Sequence, residues 1–272
     1  MRDPNHARPD AASAAGCTFL ALVVIFVLAL AHATFHAQYA ETSVPDDRFV
    51  LTAATAESAA PKRVCLTFDD GPSKHTAEVL EILRDAGVPA TFFVTAQPVN
   101  EPYLPLLRDA VAQGHQIAMH SATHDYARIY AGTDAFWQDI KQLRQVLEPY
   151  VPLETLTWLR FPGGSTNTVS HRYGGRDIMR QLKAQCEEKG YHWIDWNVCA
   201  EDATAAHPDA DEILRNIKRD AKDNATCVVL LHDTRATGET VKALPHIIEY
   251  FKQEGAIFCT VAQLSDLQSG TG

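Results

Sequence analysis

Seven short β-rich runs alternate with longer amphipathic stretches along most of this 272-residue chain. Strands separated by helices form parallel sheets, either doubly wound or closed as a barrel, so this alternation restricts the fold more than any other feature. The runs predicted as strands are RVCLTF (63–68), ATFFVT (90–95), HQIAM (115–119), TWLRF (157–161), YHWIDW (191–196), TCVVLL (226–231) and AIFCT (256–260). We therefore predict one α/β domain with about seven parallel strands, a size typical of such barrels.

Unusual polar residues stand at or just after the ends of these runs. They are Asp69 and Asp70 after the first run, His120 after the third, Arg160 at the end of the fourth, Asp202 after the fifth and His232 after the sixth. In β/α barrels the active site is built at the carboxyl ends of the strands. We therefore expect these side chains to converge on one site.

Two adjacent carboxylates, Asp69 and Asp70, end the first run in the stretch VCLTFDDGPS. Like charges side by side repel, and a surface turn or helix cap is the simplest explanation of an isolated Asp-Asp-Gly-Pro. The alternative is a divalent metal, which one carboxylate would hold while the other remains free for proton transfer.

The stretch HSATH places His120 and His124 four residues apart, which puts both imidazoles on one face if this turn is helical. Such a pair alone is more often a surface or cap feature. With Asp70 at a neighbouring strand end, however, it completes a three-ligand set that leaves a position for water, as catalytic zinc requires. We therefore interpret these three residues as metal ligands.

Two further sites have both a simple and a functional interpretation. Arg160 precedes Pro162 and the pair Gly163–Gly164, whose backbone N–H groups could approach a ligand closely, although a surface arginine before a turn would look the same. His232 leaves an apolar strand, where a histidine is usually a satisfied core residue.

Five motifs resemble, in order and spacing, those of the polysaccharide deacetylases, the carbohydrate esterases of family four. They are TFDDGP, HSATH, RFPGG, WNVCAEDA and LLH, and the resemblance spans about residues 62–265. It implies a distorted β/α barrel that removes N- or O-acetyl groups from sugar polymers with a divalent metal, most commonly zinc. It also implies that Asp70, His120 and His124 ligate the metal and that Asp69 is the general base.

The same chemistry suggests roles for the remaining residues. His232 is expected to be the general acid, because an amine leaves poorly unless it is protonated. Arg160 would keep Asp69 ionised, and Asp202 would orient His232 and raise its pKa. A backbone N–H near Gly163 would support the oxyanion, and Leu230 would line the pocket for the acetyl methyl group.

The fourth motif departs from the family pattern, which has an Asp, two residues, and then Asp-Trp. Here these positions carry Cys199, Asp202 and Ala203. The second Asp is retained, so the partner of His232 is present, but the groove-wall Trp is missing. This departure puts the grip on substrate in question more than catalysis.

An apolar segment precedes the domain, and no Asp, Glu, Lys or Arg occurs between residues 11 and 40. We predict a cytoplasmic stub (1–16), a transmembrane signal anchor or signal peptide (17–35), a linker (36–61) and a catalytic domain (62–272). An uncleaved anchor is favoured over a cleaved signal peptide that would release a secreted protein. Either one places the domain outside the cytoplasm.

The formal net charge of −10 argues against nucleic acid as the partner, because nucleic-acid binding depends on clustered Lys and Arg. No CxxC spacing occurs among the six cysteines, which gives no support to a zinc ribbon or a thioredoxin-like site. Cys65, Cys227 and Cys259 lie in strand-like runs and are expected to be buried free thiols. Pairing of Cys186 with Cys199 is left open.

Together these features predict a membrane-tethered, metal-dependent hydrolase that removes N-acetyl groups from N-acetylglucosamine units of a cell-wall polysaccharide. An O-acetyl esterase of xylan type is the second possibility, because the same site attacks either acyl bond. A catalytically silent glycan-binding wall protein is the third. Loss of a ligand or of the base would be its signature, and all five of these residues are present: Asp69, Asp70, His120, His124 and His232.

Overall fold

The computed structural model describes residues 60–269, which form strands and helices in alternation. The strands are β1 (Arg63–Asp69), β2 (Ala90–Thr95), β3 (Gln116–Ser121), β4 (Trp158–Leu159), β5 (His192–Trp193), β6 (Val198–Cys199), β7 (Thr226–His232) and β8 (Ile257–Phe258). The helices are α1 (Thr76–Ala86), α2 (Leu106–Ala112), α3 (Tyr126–Ile129), α4 (Thr133–Leu147), α5 (His171–Gly174), α6 (Ile178–Glu188), α7 (Ala210–Ala221), α8 (Gly238–Gln253) and α9 (Val261–Ser269). Two short 3-10 helices span Glu101–Tyr103 and Leu153–Thr155.

The strands form one parallel sheet in the order β5-β4-β3-β2-β1-β7-β6. The short strand β8 pairs with the first two residues of β1, where β2 has not yet begun. The predicted α/β class with about seven parallel strands is therefore confirmed.

The sheet is strongly curled, and the chain itself requires this. Strands β5 and β6 lie at opposite edges of the sheet, yet only residues 194–197 separate them in sequence. Six strand spacings in a flat sheet would put these edges roughly 29 Å apart, whereas the linker spans about 18 Å at full extension. The sheet must therefore bend into a half-barrel.

This linker also explains why one predicted strand became two. The run 191–196 pairs first with β4, through His192 and Trp193. At Asn197 the chain changes partner, because its backbone N–H donates to the carbonyl of Val228 and its side chain accepts from the Val228 N–H. A β-rich run predicts an extended backbone, but it does not predict that one neighbouring strand pairs with it along its whole length.

The two faces of the sheet bury different side chains. Alternate residues on β1, namely Val64, Leu66 and Phe68, face the helices and belong to the large core between sheet and helices. The residues between them face the concave side, where a second cluster fills the lower lumen. Its members are Cys65, Phe93, Ala118, Val228, Cys259, Val261 and Leu264. Helix α9 thus closes the floor of the half-barrel and leaves its mouth open.

The helices show the spacing that their sequences predict. Helix α1 buries Val79, Leu80 and Leu83 on one face and ends at Gly87, whose left-handed backbone (φ 66°) donates to the last carbonyls. Helix α7 begins at Asp209, whose side chain accepts from the N–H of Glu212. The glycine after α1 and the aspartate before α7 thus determine where these helices end and begin, independently of the sheet.

Cys65, Cys186, Cys199, Cys227 and Cys259 are free thiols, so Cys186 and Cys199 do not pair with each other. Burial of the three strand cysteines agrees with expectation, and the sulfurs of Cys65 and Cys259 lie 3.5 Å apart. Within residues 60–269, none of the helices has the length and apolar character needed to cross a membrane. The predicted stub (1–16), apolar segment (17–35) and nearly all of the linker (36–61) lie outside the described residues.

Candidate metal centre and catalytic site

The predicted site residues meet at the open mouth of the half-barrel. Asp69 and His232 end two neighbouring strands and are register partners, so their backbones lie one strand spacing apart. His120 comes from β3, and Arg160 directly follows β4. The structure therefore brings together the side chains that the strand-end argument expected to converge.

Asp70, His120 and His124 form the one group among the described residues that could hold a metal ion. The Asp70 Oδ1 lies 3.3 Å from His124 Nε2 and 3.5 Å from His120 Nε2. Ligands bound to zinc at about 2.0–2.2 Å in tetrahedral geometry are roughly 3.3–3.5 Å apart. The three side chains are thus spaced as ligands of a shared cation would be.

Hydrogen bonding supports the same conclusion. The Nδ1 of His120 lies 2.7 Å from the carbonyl oxygen of Arg160, which can only accept, so Nδ1 carries a proton and Nε2 is the ring nitrogen that faces Asp70. Asp70 Oδ1 is buried and accepts no hydrogen bond from any described residue. Burial and the neighbouring His120 lower the pKa of His124 and favour its neutral form. Electron pairs pointing at one another in this way fit a bound divalent metal.

The two histidines do not converge through a helix, as their spacing had suggested. Strand β3 ends at Ser121, and His124 adopts a left-handed backbone conformation (φ 51°) in the turn that follows. The hydroxyl of Ser121 accepts from the N–H of His124 at 2.8 Å. A tight turn instead of a helical one therefore brings the two imidazoles to Asp70.

Asp139 of helix α4 holds this turn in place and was not singled out by the sequence. Its carboxylate accepts from the Ser121 hydroxyl (2.7 Å), the Ala122 N–H (2.8 Å), and the hydroxyl (2.7 Å) and N–H (3.1 Å) of Thr123. Four hydrogen bonds to one buried carboxylate lock the segment that joins the two histidines. Asp139 is thus a positioning residue for the candidate metal centre.

Arg160 crosses the half-barrel and is completely buried. Its Nη1 donates to Asp69 Oδ1 and to the Thr67 hydroxyl, both at 2.8 Å, while Nε and Nη2 donate to the carbonyls of Ile194 and Asp195 at 3.2 Å. The guanidinium also lies over the ring of Phe93, at 4.2 Å. This pairing leaves Asp69 Oδ2 directed toward His120, at 3.9 Å from its Nε2.

His232 is paired with Asp202, as the sequence predicted. His232 Nδ1 donates to Asp202 Oδ1 at 2.8 Å, and Asp202 Oδ2 accepts from the backbone N–H of His232 and from the Thr240 hydroxyl. Burial disfavours the imidazolium, but the hydrogen bond and charge of Asp202, with the charges of Asp69 and Asp70, raise the pKa of His232 to about 9. Its Nε2 is left available at the mouth.

The RFPGG loop forms another wall of the site. Gly163 has a left-handed backbone (φ 78°), and a Cβ at this position would lie 2.8 Å from the Tyr126 hydroxyl. Gly163 is exposed, and its N–H donates to no described residue, so this group is free to bind an oxyanion. Leu230 precedes His232 by two residues on β7, so it faces the lumen on the same side, and it is the register partner of Thr67 on β1.

Two more carboxylates brace neighbouring loops. Asp195 accepts from the N–H and hydroxyl of Ser165 at 2.8 and 2.6 Å, which fixes the end of the RFPGG loop. Asp233 accepts from the hydroxyls of Ser73 and Thr76 and so anchors the turn after Asp70. The sequence signal for Asp233 was its position directly after His232, whereas Asp139 lies within an amphipathic helix and resembles any solvent-facing acid there.

Comparison with known proteins agrees with this geometry. Residues 56–185 match the family model described as Polysaccharide deacetylase. The chain is 31% identical over 206 residues to a peptidoglycan-N-acetylglucosamine deacetylase of Bacillus cereus, covering 75% of this chain and 88% of that protein. It is 29% identical to a bifunctional xylanase/deacetylase of Pseudobutyrivibrio xylanivorans over 76% of this chain, which spans 31% of that longer protein.

Among solved structures, the catalytic domain of a peptidoglycan N-acetylglucosamine deacetylase from Eubacterium rectale superposes with a TM-score of 0.70. The two chains are 31% identical, and the match covers 82% of this chain and 93% of the other. The similarity therefore extends over the whole half-barrel.

Asp139→Asn tests whether this carboxylate positions the metal ligands. An amide replaces one acceptor oxygen with a donor that faces N–H groups, so the turn should loosen and zinc affinity should fall about 10–100-fold. Competition with a chromophoric chelator measures the affinity, and circular dichroism checks that the fold persists. Asp134→Asn, an exposed change on the same helix, is the control, and unchanged zinc affinity in Asp139→Asn would remove Asp139 from this role.

Proposed function

The chain belongs to the polysaccharide deacetylase family, and from this and the site we propose that it removes N-acetyl groups from N-acetylglucosamine units of a cell-wall polysaccharide. The proposal rests mainly on one observation, which is that Asp70, His120 and His124 form a possible metal site and that Asp69 lies beside it. The relatives named as peptidoglycan deacetylases support a wall glycan as the substrate class.

We propose that Asp70, His120 and His124 hold a divalent metal, with zinc the best match to two imidazoles and one carboxylate. When bound, such a metal supplies Lewis acidity toward the acetyl carbonyl and lowers the pKa of the attacking water. The donor set and its spacing support this assignment.

In the first chemical step, Asp69 accepts a proton from the water that attacks the acetyl carbon. Its Oδ2 is the oxygen that Arg160 leaves free, because the buried guanidinium pairs with Oδ1 at 2.8 Å. The N–H of Gly163 donates to the oxygen that gains negative charge, and Leu230 lines the space for the acetyl methyl group.

In the second step, the bond between the carbonyl carbon and the sugar nitrogen breaks. His232 Nε2 gives its proton to that nitrogen, so acetate and a free amine are the products. Asp202 holds the imidazolium in the required orientation through Nδ1 and stabilises its charge. The same arrangement would cleave an acetyl ester, whose alcohol needs less help in leaving.

The similarity to a bifunctional xylanase/deacetylase favours one second candidate, an O-acetyl esterase acting on xylan. The groove-wall Trp expected at position 203 is replaced by Ala203, so the grip on the polymer differs from the family pattern.

Acetate release identifies the substrate. The zinc-loaded protein should release acetate from peptidoglycan or a chitooligosaccharide faster than from acetylated xylan, and the reverse order would favour the esterase.

Asp69→Asn should keep stoichiometric zinc yet lose turnover by about 10²–10⁴-fold, as is typical for loss of a general base. Asp109→Asn, an exposed change on helix α2, is the control, and full activity in Asp69→Asn would exclude Asp69 as the base.

The pH profile tests the acid. His232 must be protonated to act, so activity is expected to decline as pH rises through its raised pKa. A bound cation would offset the charges of Asp69 and Asp70, which leaves Asp202 to sustain this shift. Asp202→Asn should therefore move the alkaline limb of kcat to lower pH, and an unchanged limb in pH-dependent acetate release would contradict the pairing.

We also propose that residues 17–35 anchor the protein in a membrane with the domain (62–272) outside the cytoplasm. The apolar, charge-free sequence supports this placement. The full-length protein should then sediment with membranes, and protease added to intact spheroplasts should digest the domain. A mature protein that begins near Thr34 and is found in the medium would instead indicate a cleaved signal peptide.

A further inference from the structure

A cavity of about 250 Å³ opens beside Asp70, and none of the chemical steps proposed for deacetylation uses it. It lies between the loop after β2 (97–100) and the loop after β7 (234–236). The residues that line it include Asp70, Gln97, Val99, Thr234, Arg235 and Ala236. We call it the Arg235 cavity, and Asp70 connects it to the candidate metal centre.

Several polar groups of this cavity already form hydrogen bonds with other residues of the domain. Asn100 donates to the carbonyls of Asp70 and Pro72 and accepts from the Thr95 hydroxyl. The Ser73 hydroxyl donates to Asp233. These bonds build a fixed wall behind Asp70, but they leave nothing there for a ligand.

Three other side chains remain available to a ligand. Arg235 is exposed and makes no hydrogen bond or ion pair with any residue in 60–269, and the Gln97 side-chain amide likewise has no recorded partner there. Val99 leaves 49% of its surface exposed, which is unusual for a large apolar residue of this domain. The cavity therefore offers one cation, one amide and one apolar surface.

We propose that the Arg235 cavity binds a carboxylate-bearing sugar next to the acetylated sugar in the polysaccharide chain. The planar guanidinium of Arg235 pairs with the carboxylate, a geometry that can place two parallel hydrogen bonds. Gln97 contacts a ring hydroxyl, and Val99 packs against the C–H face of the ring. This inference rests on the proposed deacetylase function and specifies its substrate.

Size and charge together favour a single acidic sugar. The cavity is smaller than the roughly 300–1,000 Å³ pockets that take drug-sized ligands, so one sugar unit fits and a longer branch does not. The net charge of −10 disfavours a glycan with a charge on every sugar, and one unpaired cation at the site suits one carboxylate. A glycan in which neutral and acidic sugars alternate would meet both requirements, whereas a neutral homopolymer would leave Arg235 unused.

The test compares three substrates with the zinc-loaded, full-length protein. They are a peptide-free glycan in which N-acetylglucosamine alternates with a carboxylate-bearing sugar, the same glycan after methyl esterification, and a neutral chitooligosaccharide of equal length. Arg235→Gln should raise KM for the acidic glycan about tenfold relative to KM for the other two, with kcat affected much less. Arg235→Lys should recover part of the loss, and Arg215→Gln, an exposed change on helix α7, should leave all three values as in the wild type.

Binding is measured separately from turnover, so that failure of the two proposals can be distinguished. In an Asp69→Asn background, calorimetry should show that the acidic glycan binds about tenfold more weakly after Arg235→Gln, while binding of its methyl ester changes little. An equal effect on all three glycans, or none, would overturn the assignment of Arg235. If no glycan releases acetate with wild-type protein, the deacetylase proposal fails, and the calorimetric comparison still decides the role of the cavity.

Discussion

A buried ion pair between Arg160 and Asp69 is the interaction on which the rest of this domain depends. Removing one member of such a pair leaves an uncompensated charge in the interior, which typically costs about 3–5 kcal/mol. Here the arginine also donates to Thr67 and to two carbonyls of the segment between β5 and β6. One side chain therefore ties β1 to the segment that closes the curl of the sheet, and at the same time sets which oxygen of Asp69 is free to accept a proton.

Around this pair, three loops at the mouth are each fixed by a carboxylate from another part of the chain. Asp139 holds the turn between the two histidines, Asp195 holds the end of the RFPGG loop, and Asp233 holds the turn after Asp70. The groups that would contact metal and substrate are thereby positioned before either binds. This is the preorganisation that electrostatic catalysis requires, because the protein need not rearrange as charge develops.

Much of this arrangement could be predicted from the sequence, because two sequence patterns determine it. Alternating strands and helices predicted the parallel sheet, and polar residues at strand ends predicted that their side chains would meet at one mouth of it. The sequence did not show that residues 191–196 would serve two strands, since the partner change at Asn197 depends on a tertiary hydrogen bond with Val228. It also could not identify Asp139, because a buried acid on a helix looks in sequence like an exposed one until its partners are known.

The pairing of the first strand with the last has a consequence for synthesis. Strand β8 and helix α9 complete one side of β1 and the floor of the lumen, yet they are the last described elements of the chain. While a ribosome still holds these residues, β1 lacks this neighbour and Cys65 and Phe93 have no cover from below. The domain therefore acquires its full core only once β8 and α9 have emerged from the ribosome, and until then the uncovered apolar side chains of the lumen make the nascent chain prone to aggregation.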